Sequence, residues 1–67
     1  MTMLKVIEVL AESPEGFDQA VQTAVSKASE TVRNIKSVYV KDMSAHVENG
    51  KITRYRVNAK ITFALES

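Results

Sequence analysis

Apolar and polar residues follow three different patterns along the chain, and each pattern predicts an element. Residues 3–11, MLKVIEVLA, are dense in Val, Ile and Leu, interrupted by single charges at Lys5 and Glu8. This reads as a strand covered on both faces. Next comes Ser13-Pro14-Glu15, with Ser13 as the expected helix N-cap, Pro14 in the first turn and Glu15 at the positive end of the helix dipole. Phe17, Ala20, Val21, Ala24, Val25, Ala28 and Val32 then recur at helical spacing, and Arg33 and Asn34 suit a helix end. A stripe made mostly of Ala and Val lets this helix approach a sheet closely.

Two long alternating segments, 36–48 and 51–66, flank Asn49-Gly50. That dipeptide is the strongest two-residue hairpin signal, because a type I′ turn needs positive φ at both positions. A tight turn places Glu48 opposite Lys51. Continued without interruption, the register sets Val38 against Ile61, Val40 against Ala59 and Asp42 against Val57. On the other face it sets Tyr39 against Lys60, Lys41 against Asn58 and Met43 against Arg56; a bulge would shift part of this register. Val38, Val40, Val57, Ala59, Ile61 and Phe63 form the face expected to meet the helix. Ser37, Tyr39, Lys41, Met43, Arg54, Arg56, Asn58 and Lys60 form the other. The predicted fold is α+β, in the order β-α-β-β, with the last strand in the middle of an antiparallel sheet.

The second face also carries Val47 and Ile52. Mixed apolar groups and fixed donors suit an oligomer contact, a ligand platform or both better than open solvent. Length sharpens this expectation. The 67 residues make a single domain, 1–67, that buries only about 60% of its unfolded surface. Domains of this size commonly need disulfides, a metal or self-association. There is no cysteine, and His46 is the one histidine, so self-association is the expected support.

Nine basic and eight acidic residues leave a net charge of +1, too balanced for strong non-specific nucleic-acid binding. No apolar run is long enough to cross a membrane, and the N-terminus does not read as a signal peptide, so a cytoplasmic location is expected. No nucleophile–base pair, phosphate-binding glycine loop or metal cluster points to an enzyme.

The segments KVIEVLAESPEGF, ETVRNI, VENGKI and YRVNAKITFALE, in this order and spacing, resemble the dodecin family over nearly the whole length. The resemblance implies a three-stranded antiparallel sheet wrapped around one helix, assembled as a hollow homododecamer. It also implies non-catalytic storage or shielding of a flavin (FMN or riboflavin). In flavin-binding members a Trp opens the second strand and stacks on the flavin, and a Gln after the Tyr of the third strand bonds the pyrimidine edge. The matching positions here are Ser37 and Arg56. Serine lacks the stacking surface, and arginine donates but cannot accept. These two departures are shared with the calcium-dodecin branch. No D-x-[DN]-x-[DN]-G loop is present, so calcium would need carboxylates such as Glu8, Asp42 and Glu48 to converge across subunits.

Arg54 and Arg56 can grip an anionic ligand, although an inter-subunit salt bridge to Glu or Asp is the favoured expectation. Tyr39 can stack on a ligand or pack with its hydroxyl at a rim. Met43 reads as interface filler, and Asn58 and Lys60 share its face. Ser37 has no base beside it and is no nucleophile. His46 is expected in solvent. An RNA-binding sheet using Lys41, Arg54, Arg56 and Lys60 is the reading from a different class, but it lacks paired exposed aromatics. The expected function is therefore a self-assembled shell holding a small molecule or ion, with typical flavin binding weakened.

A flavin-fluorescence titration should show weak quenching by the wild type and stronger quenching by the Ser37→Trp/Arg56→Gln double variant. Tight wild-type quenching would overturn the first expectation; an unimproved double variant would show the pocket to be misplaced.

Overall fold

The computed structural model describes residues 2–65. Strand β1 (Met3–Ser13) leads to helix α1 (Phe17–Ala28), followed by β2 (Ile35–Glu48) and β3 (Lys51–Leu65). Both outer strands pair antiparallel with β3, in the order β1-β3-β2. The last residue of the expected 51–66 strand, Glu66, lies outside the described residues.

Helix α1 begins later and ends earlier than its sequence signals suggest. Ser13 is not its N-cap but the buried last residue of β1, and its Oγ accepts a hydrogen bond from Glu15 N at 3.0 Å. This side-chain-closed turn competes with a helix start at the same place. Gly16 is the N-cap instead, its carbonyl accepting from Ala20 N at 3.0 Å. At the other end, Ala28 O accepts from both Thr31 N (3.1 Å) and Val32 N (2.8 Å), so the chain closes a final turn before Arg33. Thr31 and Val32 are β-branched and favour leaving the helix. Asn34 follows at φ 63° and redirects the chain into β2, while its carbonyl accepts from Ala64 N at 3.0 Å.

Three alanines four residues apart, Ala20, Ala24 and Ala28, form the buried helical stripe. Across from them lie Val57, Ala59 and Ile61 of β3, all fully buried. Ile7, Val9, Ala11, Ile35 and Val38 pack around the Ala24–Ala28–Ile61 cluster. Phe17 meets Tyr55 edge to face at 5.0 Å between ring centroids and ties the helix start to the hairpin.

Strand β1 is covered on one face only. Its alternate residues Leu4, Val6 and Leu10 are exposed, because the single helix lies on the opposite side of the sheet. Every residue from Lys41 to Gly50 is also exposed, so the hairpin extends beyond the helix as an arm. The chain measures 52 × 20 × 13 Å with a radius of gyration of 13.7 Å, against about 10.9 Å for a compact chain of this length. Its accessible surface of 5076 Å² likewise exceeds the roughly 4,200 Å² of a typical monomer of this mass.

Asn49 and Gly50 both have positive φ, 51° and 76°, as a type I′ turn requires. The register is as expected next to the turn and between Ser37–Val40 and Ala59–Thr62, but it slips by one residue in between. Thr53 is an extra residue on β3, its hydroxyl donating to His46 O at 3.3 Å, and Lys41 is an extra residue on β2 that restores the register. Asp42 therefore faces Asn58 rather than Val57, and Met43 faces Val57 rather than Arg56. Directly paired residues share a face, so Met43 moves from the polar face to the helix side of the sheet.

Gly50→Ala should lower the urea midpoint of unfolding by the equivalent of about 1 kcal/mol, because an added Cβ is strained at φ 76° although it meets no neighbour. Asn49→Gly should leave the midpoint nearly unchanged. An unaltered midpoint in Gly50→Ala would show that the turn does not hold the hairpin.

Candidate functional site

Antiparallel pairing of β1 with β3 sets Glu8 opposite Lys60, Leu10 opposite Asn58 and Glu12 opposite Arg56. The face away from the helix thus receives a row of acids from β1 beside a row of bases from β3. Glu12 occupies the centre of one cluster. Its Oε2 accepts from Arg56 Nη2 at 2.6 Å and Nε at 2.9 Å, and its Oε1 accepts from Arg54 Nη1 at 3.3 Å. The Arg56 hydrogen bonds, followed by the charges of both arginines, hold the Glu12 carboxyl below its ordinary range against the opposing effect of partial desolvation.

Four residues up β1, Glu8 anchors a second cluster. A hydrogen bond from Asn58 is the main cause of its lowered pKa, supported by the charges of Lys41 and Lys60. Lys41 Nζ reaches Glu8 Oε2 at 3.6 Å, across the middle strand, from its position in the β2 bulge. Asn58 Oδ1 is buried without a hydrogen-bond partner.

Near the hairpin tip an open groove of about 630 Å³ is lined by Glu12, Pro14, His46, Glu48, Thr53, Arg54 and Arg56. His46 is exposed, as expected, and its Nε2 lies 3.3 Å from Glu48 Oε2. Among the described residues no lysine or arginine forms an ion pair with Glu48, while Arg54 and Arg56 turn to Glu12.

The sequence-selected residues separate into two places. Arg54 and Arg56 come together in the groove. Ser37 and Tyr39 stand at the far end of the hairpin, opposite Thr62 and Lys60, both exposed. Thr62 lies six positions along β3 from Arg56, roughly 20 Å along a strand. One chain therefore cannot close a single pocket around Ser37 and Arg56. Asn58 and Lys60 lie between the two ends, and Met43 lies on the reverse side.

Both arginines pair with Glu12 of their own chain, a partner distinct from the inter-subunit acid expected for them. Glu12 was not among the residues that sequence reasoning selected. Its signal was there in the matching spacing of Glu8 and Glu12 against Lys60 and Arg56, which only the β1–β3 register makes meaningful. Within one chain, no group of three potential metal ligands occurs among the described residues. No helix is long and apolar enough to cross a membrane among the described residues.

The profile of the family described as Dodecin matches residues 3–66. Calcium dodecin of Mycobacterium tuberculosis is 33% identical over 66 residues, covering 97% of this chain and 92% of that protein. The structure of dodecin from Streptomyces coelicolor superposes with a TM-score of 0.93 at 36% identity, covering 98% of this chain and 94% of that one. A crystal structure of the M. tuberculosis calcium dodecin, described as calcium-chelating with a novel calcium-binding site, superposes at 0.81 with 31% identity and coverages of 96% and 91%.

Acidification should separate the contribution of Glu12 from the rest of the fold. A carboxyl whose folded pKa lies below its ordinary value of 4.5 stabilises the fold above that value and loses the contribution as pH falls through the depressed pKa. Thermal stability should therefore fall below about pH 4.5, and the acid limb should be shallower in Glu12→Gln. Superimposable acid limbs would mean that the cluster adds nothing to stability.

Proposed function

The chain belongs to the dodecin family, and on that footing we propose that it assembles as a hollow homododecamer that holds a small ligand at subunit contacts without catalysing a reaction. The observation carrying this reading is the uncovered apolar surface. Leu4, Val6 and Leu10 of β1, Tyr39 of β2, and Val47 and Ile52 of the arm all stand more than half exposed on a chain with six buried apolar residues among those described. Such a surface around so small a core needs partners of its own kind. The dodecin fold supplies the geometry, with the sheet face and the arm left open by the single helix.

Binding of a flavin in the paired, stacked manner is weakened in this reading. Ser37 offers no stacking surface, and Arg56 is engaged by Glu12, so the pyrimidine edge would have to displace a charge-assisted pair. Subunits would have to bring Ser37 of one chain to Arg56 of another, given their separation within a chain. Tyr39, Asn58 and Lys60 lie along that contact, and Met43 fills a contact on the helix side.

Calcium is the second reading, favoured by the 33% identity to a calcium dodecin. Glu8 is occupied by Asn58 and Lys41, which leaves exposed Asp42 and Glu48 as the ligands that copies could bring together. An RNA-binding sheet is disfavoured: Tyr39 is the only Phe or Tyr on the outer face among the described residues, and Tyr55 turns inward to Phe17.

Native mass spectrometry of gently purified protein should give an assembly of about 89 kDa, twelve times the 7.4 kDa chain. Any excess mass would weigh the retained ligand and distinguish a flavin from calcium. A monomer or dimer at micromolar concentration would overturn the shell.

A further inference from the structure

We propose that the groove around Arg54 and Arg56 is an oxyanion site in which the Glu12 carboxylate stands in for the ligand. The donors and the carboxylate belong to one chain, so the site goes beyond the shell reading, in which Arg56 also faces a subunit contact. Arg54 and Arg56 are two residues apart on one strand and project from the same face. Glu12 lies between them and touches both, with one oxygen for each guanidinium. This is the geometry by which guanidinium groups receive a phosphate or a carboxylate of a ligand.

The pair is not saturated. Each guanidinium has five N–H donors; Arg56 spends two on Glu12 and Arg54 spends one. Both arginine side chains remain more than half exposed, whereas that of Glu12 is 33% exposed, so the open side of the cluster presents donors and the closed side the carboxylate. Two positive charges face one negative charge there. Thr53 and the His46–Glu48 pair line the same groove, and its volume of about 630 Å³ exceeds what a single phosphate needs. Glu48 lines the same groove and opposes an anion, while His46 Nε2 lies 3.3 Å from its Oε2 and offers that carboxylate a local hydrogen-bond partner.

The chemistry selects a ligand with two adjacent anionic groups or one dianionic group. A diphosphate suits it best: one phosphoryl group takes the free donors of Arg54, the other those of Arg56, and Glu12 is displaced or shares its donors. Because Glu12 competes for the same donors, removing its charge should tighten anion binding, while a purely structural cluster would gain nothing.

The test is isothermal titration of the purified protein with inorganic pyrophosphate at low ionic strength, with native mass spectrometry of each sample to report its assembly state separately. Wild type should bind, Glu12→Gln should bind about tenfold more tightly, and Arg56→Ala and Arg54→Ala should each lose most of the affinity. Lys27→Ala, a charge removed from the helix, should bind like wild type. Arg56→Lys should retain only part of the affinity, because charge remains without the planar fork. No binding by wild type and Glu12→Gln, unchanged affinity in the arginine variants, or an equal loss in Lys27→Ala would each overturn the proposal. The shell can fail in the mass measurement while this binding persists, and the reverse, so the two are distinguishable.

Discussion

One twelve-residue helix cannot cover both faces of a three-stranded sheet, and much of this molecule follows from that shortage. Ala20, Ala24 and Ala28 bring the helix close to Val57, Ala59 and Ile61, which makes a dense core but a small one. Close approach and wide coverage are opposed here: larger side chains would reach further across the sheet but hold the helix away from it. The alanine stripe resolves the conflict in favour of close packing. The outer face of β1 and the arm of the hairpin are left to be covered by something other than the chain itself.

The same open face arranges the charges. With no second layer over it, the sheet satisfies its acids and bases by pairing them across strands. Glu8 and Glu12 on β1 meet Asn58, Lys60 and Arg56 on β3, and the bulged Lys41 adds a further cation from β2. Exposed pairs of this kind contribute modestly to stability. Their larger consequence is that they decide which donors this face leaves available. An arginine held by a carboxylate of its own chain is a different recognition group from the neutral amide that flavin-binding dodecins carry there. The substitution of Arg56 has to be read together with Glu12.

Much of the fold was legible along the chain. The Asn49-Gly50 turn, the alternation of β3 and the alanine spacing of the helix each follow from a local backbone or packing rule, and each is present in the structure. The helix ends were less legible, because Ser13 can cap a turn as well as a helix, and Thr31 and Val32 fit a helical stripe while favouring escape from it. The bulges at Thr53 and Lys41 were illegible in their positions. Thr53 and Lys41 look like ordinary strand residues, and a hydroxyl bonded to the His46 carbonyl has no sequence signature.

The site divides along the same line. Sequence alone determined the residue types at issue: Ser37 and Arg56 at the positions the family resemblance singles out, and a cation-rich strand face with Tyr39 at one end. It also determined that a chain this short and without cysteine lacks the usual covalent or thiolate-metal supports. Only the tertiary structure decided which of these residues meet. The β1–β3 register brought Glu12 to both arginines from more than forty positions away, and the length of β3 kept Ser37 apart from Arg56. A local rule acts through neighbouring backbone and can be read in the order of residues. Register between distant strands depends on how turns, bulges and buried side chains settle together, and that is fixed only when the chain has folded.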